Sequence, residues 1–209
     1  MPDRPLALPF PLPDGPELSA AYKELYLAAH GDDATKKAIG DPALLPRPWD
    51  PPTCRKRQLR QELWEWLDAV VIWFNTEYVW DPTAGMIPPC WPQHPHLVHE
   101  IAVLADQRRR AGIDTSSNTL EEWHRYTVPA FFERLRHRTK SHCDEHHQPW
   151  PARTRSTRHA SDTAVAERRQ AYEADASGDR GRWSLGSSRW RLEDEAGNAI
   201  DPATGEIAT

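Results

Sequence analysis

The chain has 209 residues, with 26 Lys and Arg against 31 Asp and Glu, and its formal net charge of −5 excludes a uniformly basic protein. Its hydrophobic fraction of 38% and charged fraction of 27% are typical of one modest folded core with polar flanking segments. Five prolines interrupt residues 1–15, where a signal peptide needs an apolar stretch, and no apolar run approaches the roughly 18–20 residues of a spanning helix. We therefore expect a cytoplasmic protein with no membrane partner, whose three cysteines are reduced thiols.

The N-terminal quarter of the chain alternates between Pro-rich and helical patterns. Residues 1–15 are predicted to be a Pro-rich flexible lead, because proline cannot pair its backbone regularly. A first helix is predicted from Pro16 to Gly31, with Asp14 and Glu17 spaced as a capping pair. Residues 40–53 hold five prolines and are predicted to form an irregular connector.

Three longer helices are predicted to build the core. The clearest spans about residues 55–78, where apolar side chains recur in steps of three and four. The next spans residues 95–112, and the third spans residues 118–135, where Pro129 should kink or split it. The apolar stripes of these helices predict one shared core, formed by Trp66, Leu67, Val70, Trp73, Ile101, Leu104, Phe131 and Leu135.

The C-terminal quarter is more polar and less periodic. Residues 148–161 are predicted to be a basic linker, and residues 162–209 a weak helix followed by an acidic tail. Trp190 and Leu192 alternate with polar residues ahead of a Gly197-Asn198 turn, which predicts a β-hairpin. The fold class is therefore mainly α, with a small helical domain over residues 16–147, a Pro-rich lead, a basic linker and a C-terminal hairpin.

Basic residues concentrate in one part of the sequence. Residues 107–169 carry 13 basic and 8 acidic residues, interleaved with histidines and Trp150. Such a mixture can neutralise phosphates and stack on a base, so DNA is a candidate partner. The alternative is a solvated helix face followed by a charged linker, since the whole chain uses 21 Arg against 5 Lys. The candidate nucleic-acid-binding residues are Arg134, Arg136, Arg138, Lys140, Arg153, Arg155 and Arg158.

Two clusters of cysteine and histidine predict a metal site. Cys90 precedes His94 by four residues at a helix start, and Cys143 is followed by His146 and His147 at helical spacing. One cysteine and one histidine from each cluster complete a tetrahedral zinc site, with either His146 or His147 as the fourth ligand. In the alternative interpretation Cys90 is a small buried hydrophobe, His94 caps a helix, and the second cluster is a polar helix end.

The sequence offers no anchor for catalysis. It lacks G-x-S-x-G, Walker A, G-x-G-x-x-G and H-E-x-x-H motifs. Neighbouring acid and base residues such as His99 and Glu100 point in different directions on a helix and do not form a dyad. We therefore expect a protein that is not an enzyme.

The pattern around the first cysteine cluster resembles a known family. The string W-F-N-x2-Y, then I-P-P-C-W-P-x-H-P-x-L-V-x-E-I-x2-L, then E-W-H-R-Y-x4-F-x2-R-L is similar to an uncharacterised actinobacterial family found on plasmids, integrative elements and phages. The resemblance covers residues 49–147 and implies a small helical domain and a mobile-element context, without an activity. The positions that carry it are Trp73, Cys90, Trp91, His94, Pro95, Leu104, Trp123 and Leu135.

Two functional hypotheses follow. The first is a non-enzymatic accessory protein of a mobile genetic element that binds DNA or, failing that, a protein partner. The alternative is a zinc-stapled protein-interaction module without a nucleic-acid role. The steep salt dependence of phosphate contacts separates the two hypotheses.

Overall fold

The chain folds mainly as helices, as the sequence predicts. The computed structural model describes residues 6–79, 85–139, 143, 147, 153–176, 182–186, 189–193 and 199–200. It divides into two compact units, Met1–Gln148 and Pro149–Thr209.

The first unit is a helical domain. Its elements are α1 (Pro16–His30), α2 (Asp33–Ile39), α3 (Arg57–Glu77), α4 (Pro95–Ile113), α5 (Asn118–Glu122), a π-helical turn (Trp123–Thr127) and α6 (Val128–Thr139). The Pro-rich segments between α2 and α4 include short 3-10 turns at Pro42–Leu44, Pro51–Thr53 and Trp91–Gln93. The bounds of α1, α3 and α4 agree with the predicted ones to within two residues.

Helix α2 is an element that the sequence analysis missed. The Asp32 side chain accepts a hydrogen bond from Thr35 N at 2.8 Å, which satisfies one free N–H of the first turn. The helix ends at Gly40, whose φ of 85° is accessible to glycine at little cost. The cap and the terminal glycine were both visible in the sequence, but the seven-residue helix buries no side chain and so has no apolar stripe.

The start of α1 differs from the prediction of an Asp14 and Glu17 capping pair. The N-cap residue is Gly15, and Leu18 N donates to Glu62 Oε2 at 2.9 Å. A Cβ on Gly15 would lie 2.1 Å from that oxygen, so only glycine leaves room for the carboxylate. The α1 terminus is therefore capped from α3, 44 residues away in sequence.

The core lies around α3, as predicted. All eight side chains assigned to it from sequence are buried in a single hydrophobic cluster. Phe74 is 1% exposed and its ring contacts four others, those of Tyr78, Trp123, Phe131 and Phe132, at centroid distances of 5.2–6.4 Å. This ring cluster packs α3 against the π-helical turn and α6.

Pro129 accounts for the break that the sequence predicts in the third core helix. Proline has no N–H, so it cannot donate to the carbonyl four residues before it. The chain responds with a π-helical turn over Trp123–Thr127, where Val128 N donates to Trp123 O, and it then continues as α6. The turn keeps Trp123 buried at 3% exposure.

The described part of the Pro-rich lead, which is predicted to be flexible over residues 1–15, contacts the core. Leu8 and Phe10 pack against the core, and two tryptophans of α3 donate hydrogen bonds to backbone carbonyls of Leu8 and Pro11. Composition does not predict these contacts, because the indole donors lie on a different element and satisfy carbonyls that have no partner within a Pro-rich segment.

In the second unit, α7 (Arg153–His159) and α8 (Asp162–Ala176) form an adjacent pair of helices. Helix α7 lies inside the predicted basic linker over residues 148–161. Arginine is a good helix former even where no apolar period is visible. Three strands follow, β1 (Arg182–Gly186), β2 (Arg189–Glu193) and β3 (Ala199–Ile200), with β1 and β3 each antiparallel to β2. The predicted Gly197-Asn198 turn lies outside the described residues.

Candidate metal centre

The first half of the candidate site is a short loop that leads into α4. A 3-10 turn over Trp91–Gln93 is closed by hydrogen bonds from Gln93 N to Cys90 O at 2.9 Å and from His94 N to Trp91 O at 3.0 Å. Trp91 is 2% exposed and anchors this turn in the core. Pro95 then begins α4, so His94 is held in an extended conformation just before the helix.

The orientation of His94 decides between the two interpretations of this residue. His94 is the N-cap residue of α4, but its side chain makes no capping bond to any backbone N–H that the structure describes. Its Nε2 atom instead lies 3.3 Å from Cys90 Sγ and 3.4 Å from Cys143 Sγ. The imidazole therefore contacts both thiols and does not cap the helix.

The second half of the site follows α6. Cys143 is 8% exposed and lies in a turn, which corrects the prediction that it stands on a helix. His147 is exposed, and its ring centroid lies 5.0 Å from that of His94. His146, the other candidate for the fourth ligand, lies outside the described residues.

The four side chains converge, as the sequence analysis proposed. One ligand atom from each of Cys90, His94, Cys143 and His147 lies within 4.8 Å of the others, so the group could hold a metal ion. Zinc bonds of about 2.3 Å to sulfur and 2.0–2.1 Å to nitrogen, at tetrahedral angles, separate a sulfur from a nitrogen ligand by about 3.5 Å. The two measured Sγ to Nε2 distances already match this value, and the widest pair must close by about 1 Å.

The surroundings of Cys90 and His94 shift the pKa of each side chain. Burial raises the pKa of the Cys90 thiol, and the neighbouring Cys143 raises it further because two thiolates repel. Burial lowers the pKa of His94, and the positive charges that His147 and His96 can carry lower it further. His94 is therefore favoured as the neutral imidazole, which is the form that binds metals.

An ion pair network next to the site ties α4 to α6. Arg134 Nε donates to Glu100 Oε2 at 2.7 Å, and Arg138 Nη1 donates to Glu100 Oε1. Both arginines are close to half exposed, so the contribution of the network to stability is small. Its effect is to hold the end of α6 near the start of α4, where the two halves of the Cys and His cluster meet.

The structure distributes the candidate nucleic-acid-binding residues over different surroundings. Arg134 and Arg138 share the Glu100 carboxylate, whereas Arg136 lines a surface cavity of about 700 Å³ together with Arg125, Tyr126 and His137. In the second unit, Arg155 and Arg158 are exposed on α7, and the backbone of Arg153 begins that helix. Lys140 lies outside the described residues.

Sequence reasoning missed a second set of functional groups, the indole N–H donors of Trp66 and Trp73. Both tryptophans were assigned to the core from their helical spacing, and both are buried there. Their Nε1 atoms nevertheless bind backbone carbonyls outside the helices, at 2.9 Å each. The available signal was a pair of tryptophans seven residues apart in a chain that also has a Pro-rich segment.

Comparisons with known proteins do not extend this description. No protein-family model, curated protein or solved structure matches the chain. In the described part of the chain, none of the helices combines the length and the apolar character that crossing a membrane requires.

Proposed function

We propose that the helical domain binds one zinc ion through Cys90, His94, Cys143 and His147, and that it works as a zinc-stapled protein-interaction module. The observation that carries the proposal is the contact of His94 Nε2 with both thiols. Cys90 Sγ lies 3.3 Å away, and Cys143 Sγ, 49 residues further along the chain, lies 3.4 Å away. Two thiolates and two imidazoles are a donor set that tetrahedral zinc prefers.

A structural role is favoured over a catalytic one. Catalytic zinc sites keep three protein ligands and leave the fourth position to water or substrate, whereas structural sites are closed by four. Here four ligands are available. Closing them joins the loop before α4 to the segment after α6, and the cross-link removes conformational freedom from the unfolded chain.

Elemental analysis of the purified full-length chain tests the zinc centre. We expect about one zinc per chain, and we expect Co²⁺ to replace it with the visible absorption of a tetrahedral site. Cys143→Ala should abolish stoichiometric binding, whereas Cys54→Ala, which removes a buried thiol far from the cluster in sequence, should retain it.

A second pair of variants separates the loss of a metal ligand from misfolding. His94→Ala removes a proposed ligand, and His99→Ala removes an exposed histidine of α4, the helix that follows His94. The circular dichroism of each variant is compared with that of the chelated wild-type protein. A folded wild-type protein that contains no metal and takes up neither Zn²⁺ nor Co²⁺ would refute the proposal.

DNA binding is a second candidate function, and α7 is the observation that favours it. Its sequence RTRSTRH contains three arginines and a histidine without an acidic residue, and the described side chains of Arg155 and Arg158 are exposed. Such a segment supplies phosphate contacts. It fits the hypothesis of an accessory protein of a mobile element, which the resemblance to the actinobacterial family suggests.

Electrophoretic mobility shift across a salt series tests this candidate. Phosphate neutralisation predicts that the logarithm of the affinity falls linearly with the logarithm of the salt concentration. Replacing Arg155 and Arg158 together by glutamine should reduce that slope by about 2, because two phosphate contacts are lost. If the wild-type chain shifts no DNA at low salt, the nucleic-acid role is excluded.

A further inference from the structure

The Pro-rich segment of residues 8–13, here called the strap, occupies a groove between α3 and α4. Trp73 Nε1 donates to Leu8 O and Trp66 Nε1 donates to Pro11 O, each at 2.9 Å. Leu8 N donates to Glu77 Oε2 at 3.2 Å. The strap therefore runs antiparallel to α3, held mainly through its backbone.

The spacing of the two indole donors matches an extended Pro-rich chain. Trp66 and Trp73 are seven residues apart, which is about 10.5 Å along a helix. Leu8 and Pro11 are three residues apart, which is about 9.3 Å and one full turn in the polyproline II conformation. Two turns of α3 thus present donors to carbonyls that lie on the same side of such a chain.

A ring contact completes the recognition. Phe10 of the strap packs edge-on against Trp73, with centroids 5.1 Å apart. The Arg108 guanidinium of α4 lies 5.2 Å from the Phe10 centroid and 5.8 Å from that of Trp73, so the two rings share one cation. Aromatic-lined grooves with donors for backbone carbonyls are how proteins recognise Pro-rich peptides.

The contacts of the strap do not depend on its being part of this chain. The groove binds two carbonyls, one N–H and one aromatic ring, and any segment with an apolar-Pro-aromatic-Pro pattern offers them. Leu6, which precedes the strap, is fully exposed, and Leu12 of the strap is largely exposed. Both therefore contribute little to the packing of the segment in the groove. At its C-terminal end the segment continues into the helical domain at α1.

We propose that this groove is a binding site for a proline-rich segment of a partner protein, and that the strap is its built-in competitor. The inference rests on the protein-interaction part of the proposed function and names the class of partner, but it does not depend on the zinc centre. The tethered strap acts at a high effective concentration, so a partner peptide must displace it.

A peptide in trans tests the proposal. The probe is a synthetic peptide with the sequence of residues 6–14, titrated by tryptophan fluorescence and calorimetry into a chain that lacks residues 2–13. We expect saturable binding with one site, and binding to the full-length chain that is at least about tenfold weaker because the strap competes. Zinc content is measured on the same samples, so a failure of the metal proposal is seen separately.

Matched variants identify the contact. Trp73→Phe in the shortened chain keeps an aromatic ring and removes the indole donor, so the affinity should fall about three- to tenfold, the effect of one hydrogen bond. A peptide with Phe10 replaced by alanine should also bind more weakly, and a scrambled peptide should not compete. If the shortened chain does not fold, Phe10→Ala in the full-length chain loosens the strap and should bind the probe more tightly than wild type does.

Three outcomes would overturn the proposal. The first is the lack of saturable binding to whichever of the two loosened chains is folded. The second is equal binding of the scrambled peptide. The third is a concentration-dependent dimer of the full-length chain that Trp73→Phe dissociates, because the occupant would then be the strap of a second copy and not a partner protein.

Discussion

Replacing Phe74 with alanine is the most direct test of how α3 is held to α6. The side chain is 1% exposed and touches four other aromatic rings, so the smaller residue leaves a cavity that rigid neighbours cannot fill. Substitutions of buried Phe by Ala cost about 3–5 kcal/mol. In a domain of this size 1 kcal/mol shifts Tm by about 2–4 °C, so we expect Tm to fall by about 6–20 °C.

The assay is thermal unfolding followed by circular dichroism, at a fixed excess of zinc so that any ligand contribution is equal in all samples. Ile72→Ala is the matched control, since this residue lies two positions away on α3 and is 61% exposed. Its effect should stay within about 0.5 kcal/mol. If Phe74→Ala melts within 2–3 °C, roughly the effect of 1 kcal/mol, of that control, the ring cluster does not stabilise the domain as argued.

Two further predictions concern the cap that Glu62 gives to α1. Burial opposes its ionisation, but hydrogen bonds from Leu18 N and Gln58 outweigh burial and hold the pKa of Glu62 below its ordinary value. The stabilisation is therefore complete above the unfolded pKa of about 4.3 and is lost as the pH falls through the folded pKa. The Tm difference between wild type and Glu62→Gln should shrink on acidification. A Tm difference that stays constant with pH would contradict this cap. Gly15→Ala should cost about 1–3 kcal/mol by collision with the Glu62 carboxylate, measured by denaturant unfolding, and should cost much less in a Glu62→Ala background.

The sequence predicts those parts of the fold that follow from the apolar stripe of a single helix. The apolar stripe of α3 identified the core, since a helix with Trp66, Val70 and Trp73 on one face must cover that face with other elements. The cap of α1 could not be predicted in the same way. Asp14 is the local candidate, but the carboxylate that binds Leu18 N comes from Glu62, and sequence proximity holds no information about this contact.

The candidate metal centre was predictable in its residues but not in its geometry. Cys90–His94 and Cys143–His147 each have a four-residue spacing that lets a cysteine and a histidine reach one ion. Whether the two pairs meet depends on how α4 packs on α6, to which the ion pairs of Glu100 with two arginines of α6 contribute.

The strap makes contacts that the composition of the N-terminal segment does not predict. A Pro-rich stretch has no apolar period, which suggests that it cannot repay the entropy of ordering. Proline, however, restricts the unfolded chain, so an extended segment loses less entropy on docking than its lack of pattern suggests. Two indole donors and one ring contact bind Leu8, Phe10 and Pro11 to α3. The proposed exchange of the strap for a partner rests on the same contacts, because another Pro-rich chain can make each of them.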